Sequence, residues 1–262
     1  MIIDFHTHCF PDKIAHHAIS ALETSSGGLL PGTDGTVSGL KEAMRRQNVA
    51  KSVVLSIATN ARQQTNVNNF AAEINGGDII AFGSVHPDAP NALEELERIK
   101  SLGLCGVKFH PEFQKFFVDD DKMKPIYKKI SELGLITVFH AGADLGFKDP
   151  IRCTPRRMAN ALKYLDCPVV AAHWGGIYCY EDTLKYLCGT DIYLDTSFGY
   201  RVIPKPYAEE ILEKHSPDRI LFGSDTPWST PENEIRLLDV LNIGETEKEK
   251  IYFKNAEKLL GI

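Results

Sequence analysis

The chain has 262 residues, of which 43% are hydrophobic and 24% charged, and its net charge is −6. This composition is typical of a globular protein and excludes a disordered chain. The acidic balance and the lack of a long Lys/Arg run argue against nucleic-acid binding. Six scattered cysteines without a CxxC pair indicate reduced thiols rather than a disulfide framework. With no signal peptide or bilayer-length apolar run, we expect a cytoplasmic protein without a membrane partner.

Short apolar runs recur along the whole chain and predict eight β-strands. Each run is nearly continuous in Val, Ile, Leu, Phe or Ala, which is typical of parallel strands that are buried on both faces. The predicted strands are Ile2–His6, Ser52–Ile57, Ile79–Val85, Gly106–Phe109, Leu135–His140, Val169–His173, Ile192–Thr196 and Ile220–Gly223.

Segments with helical spacing separate these runs, often with a proline near the start and a glycine after the end. The predicted helices are Arg62–Asn75, Ala89–Leu102, Asp121–Leu133, Thr154–Leu165, Tyr180–Leu187, Lys205–Lys214, Pro231–Leu241 and Glu247–Leu260. Residues 24–36 are rich in Gly, Ser and Thr and predict a loop. This loop either moves as a lid or is an ordinary surface loop.

Eight strands with intervening helices predict an α/β protein, a single (β/α)₈ TIM barrel that spans residues 1–262 as one domain. The alternative is a doubly wound open sheet. That fold would bring a glycine-rich phosphate-binding turn after an early strand, and the sequence has none.

Side chains that can bind metal lie at the carboxyl ends of four predicted strands, which is where barrel enzymes place their catalytic residues. His6 and His8 alternate at the end of the first strand, so they should share a face. The other three are His140, His173 and Asp225, after the fifth, sixth and eighth strands. Imidazoles with one carboxylate suit a catalytic zinc site, although Mn²⁺ and Fe²⁺ also fit. Such an ion lowers the pKa of bound water from 15.7 to about 7, and Asp225 could accept the proton.

The stretches that contain these residues resemble the amidohydrolase superfamily. They are Asp4-Phe-His-Thr-His8, Val138-Phe-His-Ala-Gly142, Ala172-His-Trp-Gly-Gly176 and Phe222-Gly-Ser-Asp-Thr-Pro-Trp228. The most similar branch is the amidohydrolase-related one that contains aminocarboxymuconate-semialdehyde decarboxylase. The resemblance implies metal ligation by His6, His8, His140 and Asp225. It implies that His173 binds a second ion or acts as an acid/base, so one or two ions remain open.

The fourth strand departs from the simplest pattern. Some two-metal members of the superfamily have a carbamylated lysine there, and Lys108 is the candidate in this chain. Lys108 could equally bind a substrate carboxylate or face solvent. His110 should share its side of the strand, and Glu112 could add a carboxylate or lie on the surface.

His86 could contact substrate or cap its loop. Trp174 and Trp228 wall the pocket or pack, and His16, His17 and His215 are expected to be solvated.

Two reactions fit this set of residues. The first is hydrolysis of an amide, ester or lactone of a small, carboxylated metabolite by a metal-activated water. The second is non-oxidative decarboxylation, a lyase reaction in which His173 or Asp225 protonates the substrate carbon. Besides Lys108, cationic groups that could hold an acidic substrate are Arg152, Arg156, Arg157 and Arg201. A third alternative is a binding or scaffold protein that has the barrel fold but no catalytic activity. We favour the hydrolase, and a homodimer is compatible with the sequence.

Overall fold

A computed structural model describes residues 1–148 and 150–262, and eight parallel strands lie in these two stretches. The strands are β1 (Ile3–Thr7), β2 (Lys51–Leu55), β3 (Ile79–Phe82), β4 (Gly106–Phe109), β5 (Ile136–Phe139), β6 (Val169–Ala171), β7 (Tyr193–Asp195) and β8 (Ile220–Leu221). Strands β1 to β3 form one sheet and β4 to β8 form another, each in chain order.

Backbone hydrogen bonds join the two sheets at both seams. Between β3 and β4, the Lys108 N–H donates to the Gly83 carbonyl over 2.8 Å. Between β8 and β1, the Phe5 N–H donates to the Phe222 carbonyl over 2.7 Å, and the Asp225 N–H donates to the His6 carbonyl over 2.8 Å. Each strand therefore borders the next around a closed ring, which confirms the (β/α)₈ barrel.

Helices follow or separate the strands. They are α1 (Asp12–Ser25), α2 (Val37–Arg46), α3 (Gln64–Ile74), α4 (Ala92–Ser101), α5 (Pro111–Gln114), α6 (Lys124–Leu133), α7 (Pro155–Ala161), α8 (Tyr180–Tyr186), α9 (Gly199–Val202), α10 (Lys205–Lys214), α11 (Pro231–Asp239), α12 (Glu245–Glu249) and α13 (Asn255–Leu260). A π-helical turn, Lys250–Lys254, joins α12 to α13. No helix among the described residues is long and apolar enough to cross a membrane.

Several helix ends follow directly from the sequence. The Thr154 side chain accepts a hydrogen bond from the Arg157 N–H, and Pro155 occupies the first turn of α7. Gly134 adopts a left-handed conformation after α6, as expected of a helix-ending glycine. These local signals explain why the predicted helices agree with the structure to within a few residues.

Three expectations need correction. Helix α1 was not predicted, and it extends to Ser25, so Thr24 and Ser25 belong to a helix and the irregular segment is 26–36. Helix α2 was not predicted either. His215 is buried rather than solvated: it accepts a hydrogen bond from the Gly189 N–H, and its Nε2 lies 3.0 Å from the Ile192 carbonyl oxygen. His16 and His17 are exposed, as predicted.

Candidate metal centre

The carboxyl ends of the strands open into one cavity of about 600 Å³. Seven of the predicted site residues line it: His6, His8, Lys108, His110, His140, His173 and Asp225. Their convergence follows from the fold, because the carboxyl ends of all strands in a parallel barrel meet at one face. Trp228 also lines the cavity, whereas Trp174 is buried and donates its indole N–H to the Thr196 carbonyl.

Three atoms come together at the base of the cavity. Nε2 of His8 lies 3.2 Å from Oδ1 of Asp225, and Nε2 of His6 lies 3.4 Å from the same oxygen. The Asp225 N–H donates to the His6 carbonyl, so the barrel seam itself holds these two residues side by side. Asp225 also has a positive φ of 66°, a conformation that aspartate tolerates better than most residues.

The second ring nitrogens fix which atoms carry the protons. Nδ1 of His8 lies 2.9 Å from the Leu55 carbonyl oxygen, which can only accept, so Nδ1 carries the proton. Nδ1 of His6 lies 2.8 Å from a carboxylate oxygen of Asp195, with the same consequence. In the neutral rings, both Nε2 atoms are therefore lone-pair acceptors that face a third acceptor, Asp225.

This arrangement fits a cation. Two imidazole nitrogens and a carboxylate oxygen repel one another unless a positive charge offsets them. The Lys108 amine, 3.4 Å from Nε2 of His6, is one such charge, and a metal ion would be another. Neutral imidazoles with a carboxylate are typical zinc ligands. Hydrogen bonds from the ligand rings to a carboxylate and to a carbonyl are also typical of metal-binding histidines. Burial lowers the pKa of His6, with Lys108 adding to the effect, which keeps its nitrogen free to bind metal.

Asp195 and Ser197 support the site, and sequence reasoning missed both. Asp195 is fully buried at the end of β7 and accepts hydrogen bonds from the backbone N–H groups of His173 (2.9 Å) and Ser197 (3.0 Å). The Ser197 hydroxyl lies 3.0 Å from Nδ1 of His6 and 2.8 Å from Nδ1 of His173. The signal was present, because a carboxylate ends the seventh strand just as Asp225 follows the eighth.

His173 and His140 form a second pair beside the first. Nε2 of His173 lies 3.0 Å from Nδ1 of His140, and burial lowers the pKa of both rings. His173 groups with His6 and Asp195 as a possible set of ligand atoms. Nε2 of His140 instead lies 3.3 Å from the Ala143 carbonyl oxygen. The structure does not bring His140 into the group of His6, His8 and Asp225, and its ligand role stays a prediction.

Lys108 is fully buried, and its Nζ lies 3.4 Å from Nε2 of His6. Burial lowers the pKa of this amine to about 8, with nearby carboxylates opposing the shift. The interpretation of Lys108 as a lysine that faces solvent is therefore wrong. Carbamylation of Lys108 remains a prediction.

His110, Glu112 and His86 lie around the edge of the site. The His110 ring stacks on His140, with centroids 4.1 Å apart, and its Nε2 lies 3.2 Å from Oδ2 of Asp144. Glu112 is buried outside the cavity lining, where it accepts a hydrogen bond from the Arg152 N–H, so it is not a surface residue. His86 accepts a hydrogen bond from the Asp88 N–H and also lies outside the lining, as expected for a loop cap.

Comparison with known proteins agrees with this geometry. The Amidohydrolase family pattern matches residues 3–262. The chain belongs to the amidohydrolase family. No curated protein sequence matches the chain significantly.

Solved structures with the same fold include two decarboxylases and a hydrolase. A 2,6-dihydroxybenzoate decarboxylase is 15% identical with a TM-score of 0.75, covering 100% of this chain and 99% of that chain. The 5-carboxyvanillate decarboxylase from Sphingomonas paucimobilis is 16% identical with a TM-score of 0.71 and the same coverage. A probable 2-pyrone-4,6-dicarboxylic acid hydrolase from Acinetobacter baumannii is 18% identical with a TM-score of 0.69, again covering 100% and 99%. These likenesses concern the fold.

Proposed function

We propose that the protein is a metal-dependent hydrolase that cleaves an amide, ester or lactone of a small metabolite. The observation that supports it best is the convergence of three lone-pair atoms at the base of the cavity, from His6, His8 and Asp225. Zinc is the proposed ion, with manganese and iron as alternatives. When bound, the ion would supply Lewis acidity, which polarises a carbonyl group and acidifies water.

The protein side chains would hold the ion and move the proton that the acidified water loses. His6 and His8 would hold the ion through Nε2, because their Nδ1 protons are engaged by Asp195 and by the Leu55 carbonyl. Asp225 contacts both rings and serves as the general base that later returns the proton to the leaving group. His173 lines the same cavity and is positioned by Ser197, so it is the second candidate acid/base.

Charge in the cavity favours hydrolysis over decarboxylation. A decarboxylase must hold the carboxylate of its substrate, for which paired arginine contacts are well suited. Within residues 1–148 and 150–262, Lys108 is the only lysine or arginine in the lining. Arg157 pairs with Asp119 at 2.6 Å, and Arg152 and Arg201 lie over Phe117 and Phe198. None of these arginines belongs to the lining, nor does Arg156, so among the described residues Lys108 is the one group there that supports a carboxylated substrate.

The test combines metal analysis with paired substrates. The purified protein is analysed for zinc, manganese and iron, stripped with a chelator and reconstituted. It is then assayed on neutral amides, esters and lactones and on aromatic carboxylates. We expect bound metal, metal-dependent hydrolysis, and a loss of at least about 100-fold in kcat for Asp225→Asn, the scale of general-base catalysis.

Asp191→Asn is the matched control, because Asp191 is fully exposed far from the site and should tolerate the same change. Release of carbon dioxide from carboxylates without any hydrolysis would reverse the choice of reaction. A protein that binds no metal and gains no activity on reconstitution would overturn the proposal.

A further inference from the structure

Away from the histidines, the walls of the cavity are mostly apolar, although Ser25, Thr59 and the carboxylate of Asp144 also belong to the lining. Helix α1 contributes Ile14, Ala18 and Leu22, and α3 contributes Phe70. The remaining neutral side chains there include Gln63 and Asn66, and among the described residues no cation stands at this end. The cavity is thus polar at its base and mainly apolar along the rest of its length.

Helix α1 has one broad apolar face, of which one edge is buried in the protein and the other lines the cavity. Ala15 and Ile19 are buried in the protein, whereas Ile14, Ala18 and Leu22 recur at four-residue spacing along the side that lines the cavity. The end of α1 reaches the loop after β5: a Cβ placed on Gly146 would lie 3.4 Å from the Ser25 hydroxyl oxygen. Helix α1 therefore forms a wall across the mouth of the barrel rather than a helix packed on its outside.

Apolar side chains continue to the rim. Ile14 is 50% exposed and Leu145 is 45% exposed, and both line the cavity. Phe113 faces the same space from α5. Large apolar groups left in water beside an apolar cavity mark a place where a ligand covers them.

We infer that the substrate carries a hydrocarbon chain, which occupies the space between α1, α3 and α5. Its reacting bond would then lie at the base, beside His6 and Asp225. The position of that bond rests on the proposed function, whereas occupation of the walls by an apolar group does not. A cavity of about 600 Å³ is large enough for such a molecule, since pockets for small-molecule ligands measure roughly 300–1,000 Å³.

Binding of simple alcohols tests the inference without any turnover. The probes are 1-butanol, 1-hexanol and 1-octanol, titrated into the full-length protein by calorimetry. Burial of a methylene group changes an equilibrium constant about fourfold, so each pair of added carbons should lower the Kd roughly 16-fold. Affinities that do not improve with chain length would overturn the inference.

Two variants locate the binding. Ala18→Phe should weaken octanol binding at least tenfold because the ring fills the cavity. His17→Phe, an aromatic insertion at an exposed position of the same helix, is the matched control and should change the Kd less than twofold. If Ala18→Phe does not fold, Ile14→Asp replaces it: Ile14 is half exposed in the first turn of α1, where an acidic residue is tolerated. Ile14→Asp should weaken binding at least threefold, and equal binding by the variants and the control would refute the placement.

A parallel series of acyl amides separates this inference from the proposed function. Hydrolysis whose kcat/KM rises with acyl length supports both. Chain-length-dependent alcohol binding without hydrolysis of any substrate keeps the inference and defeats the proposed function. Hydrolysis confined to the shortest amides, with no alcohol binding, keeps the proposed function and defeats the inference.

Discussion

The side chain of Asp195 provides a sharp test of how His6 is prepared for metal binding. Its Oδ1 accepts N–H groups from His173 and Ser197, and its Oδ2 lies 2.8 Å from Nδ1 of His6. In Asp195→Asn, the amide oxygen can keep the two backbone donors, which leaves the NH₂ group facing His6. That donor requires a lone pair on Nδ1 and moves the His6 proton to Nε2, the atom that faces Asp225.

The expected cost is a loss of metal affinity with little change of shape. Removal of a carboxylate that orients a metal-binding histidine typically lowers metal affinity 10- to 100-fold, which corresponds to about 1.4–2.7 kcal/mol. Zinc affinity is measured by competition with a chromophoric chelator, and circular dichroism establishes that each variant is folded. Asp191→Asn, at an exposed carboxylate, is the matched control and should bind zinc like the wild type.

Wild-type zinc affinity in a folded Asp195→Asn variant would refute this reasoning. It would mean that the His6 tautomer is not set by Asp195, or that His6 does not bind the ion. A second variant, Ser197→Ala, removes the hydroxyl 3.0 Å from the same nitrogen and leaves the carboxylate in place. It should reduce affinity less than Asp195→Asn.

Three further predictions concern stability. Zinc at 100 times its Kd should stabilise the fold by about 2.7 kcal/mol and raise the Tm by roughly 5–10 °C; equal melting midpoints in zinc and in chelator would contradict the site. Burial lowers the pKa of His215. Unfolding therefore takes up a proton below about pH 6.5. In urea titrations, the difference in unfolding free energy between wild type and His215→Asn should shrink as the pH falls from 7.5 to 5.5. A difference that stays constant with pH would argue against a lowered pKa of His215. A Cβ on Gly223 would lie 2.9 Å from the His6 Cβ. Gly223→Ala should therefore cost roughly 1–3 kcal/mol of unfolding free energy in the same titrations, and an unchanged midpoint would show that His6 can shift without strain.

Much of the architecture was predictable because parallel strands and barrel strand ends leave strong local signals. Continuous apolar runs marked all eight strands, and the rule for strand ends selected His6, His8, His140, His173 and Asp225. The structure brings these five into the lining of one cavity.

Tertiary contacts decided the features that the sequence did not predict. Burial of His215 depends on a backbone carbonyl 23 positions away, which no local pattern reveals. The roles of Asp195 and Ser197 depend on rings from two other strands. Helix α1 is a different case: Ile14, Ala15, Ala18, Ile19 and Leu22 recur at helical spacing, so the signal for this helix was present in the sequence and was missed.

The seam between β8 and β1 has a consequence for biogenesis. Asp4 accepts hydrogen bonds from Ser224, 220 positions away, and the same junction holds His6 against Asp225. A nascent chain still lacking its eighth strand carries the two histidines but not their carboxylate partner. At the proposed metal site, tight binding of the ion would therefore begin only when the ring closes, and metal uptake would report the completion of folding.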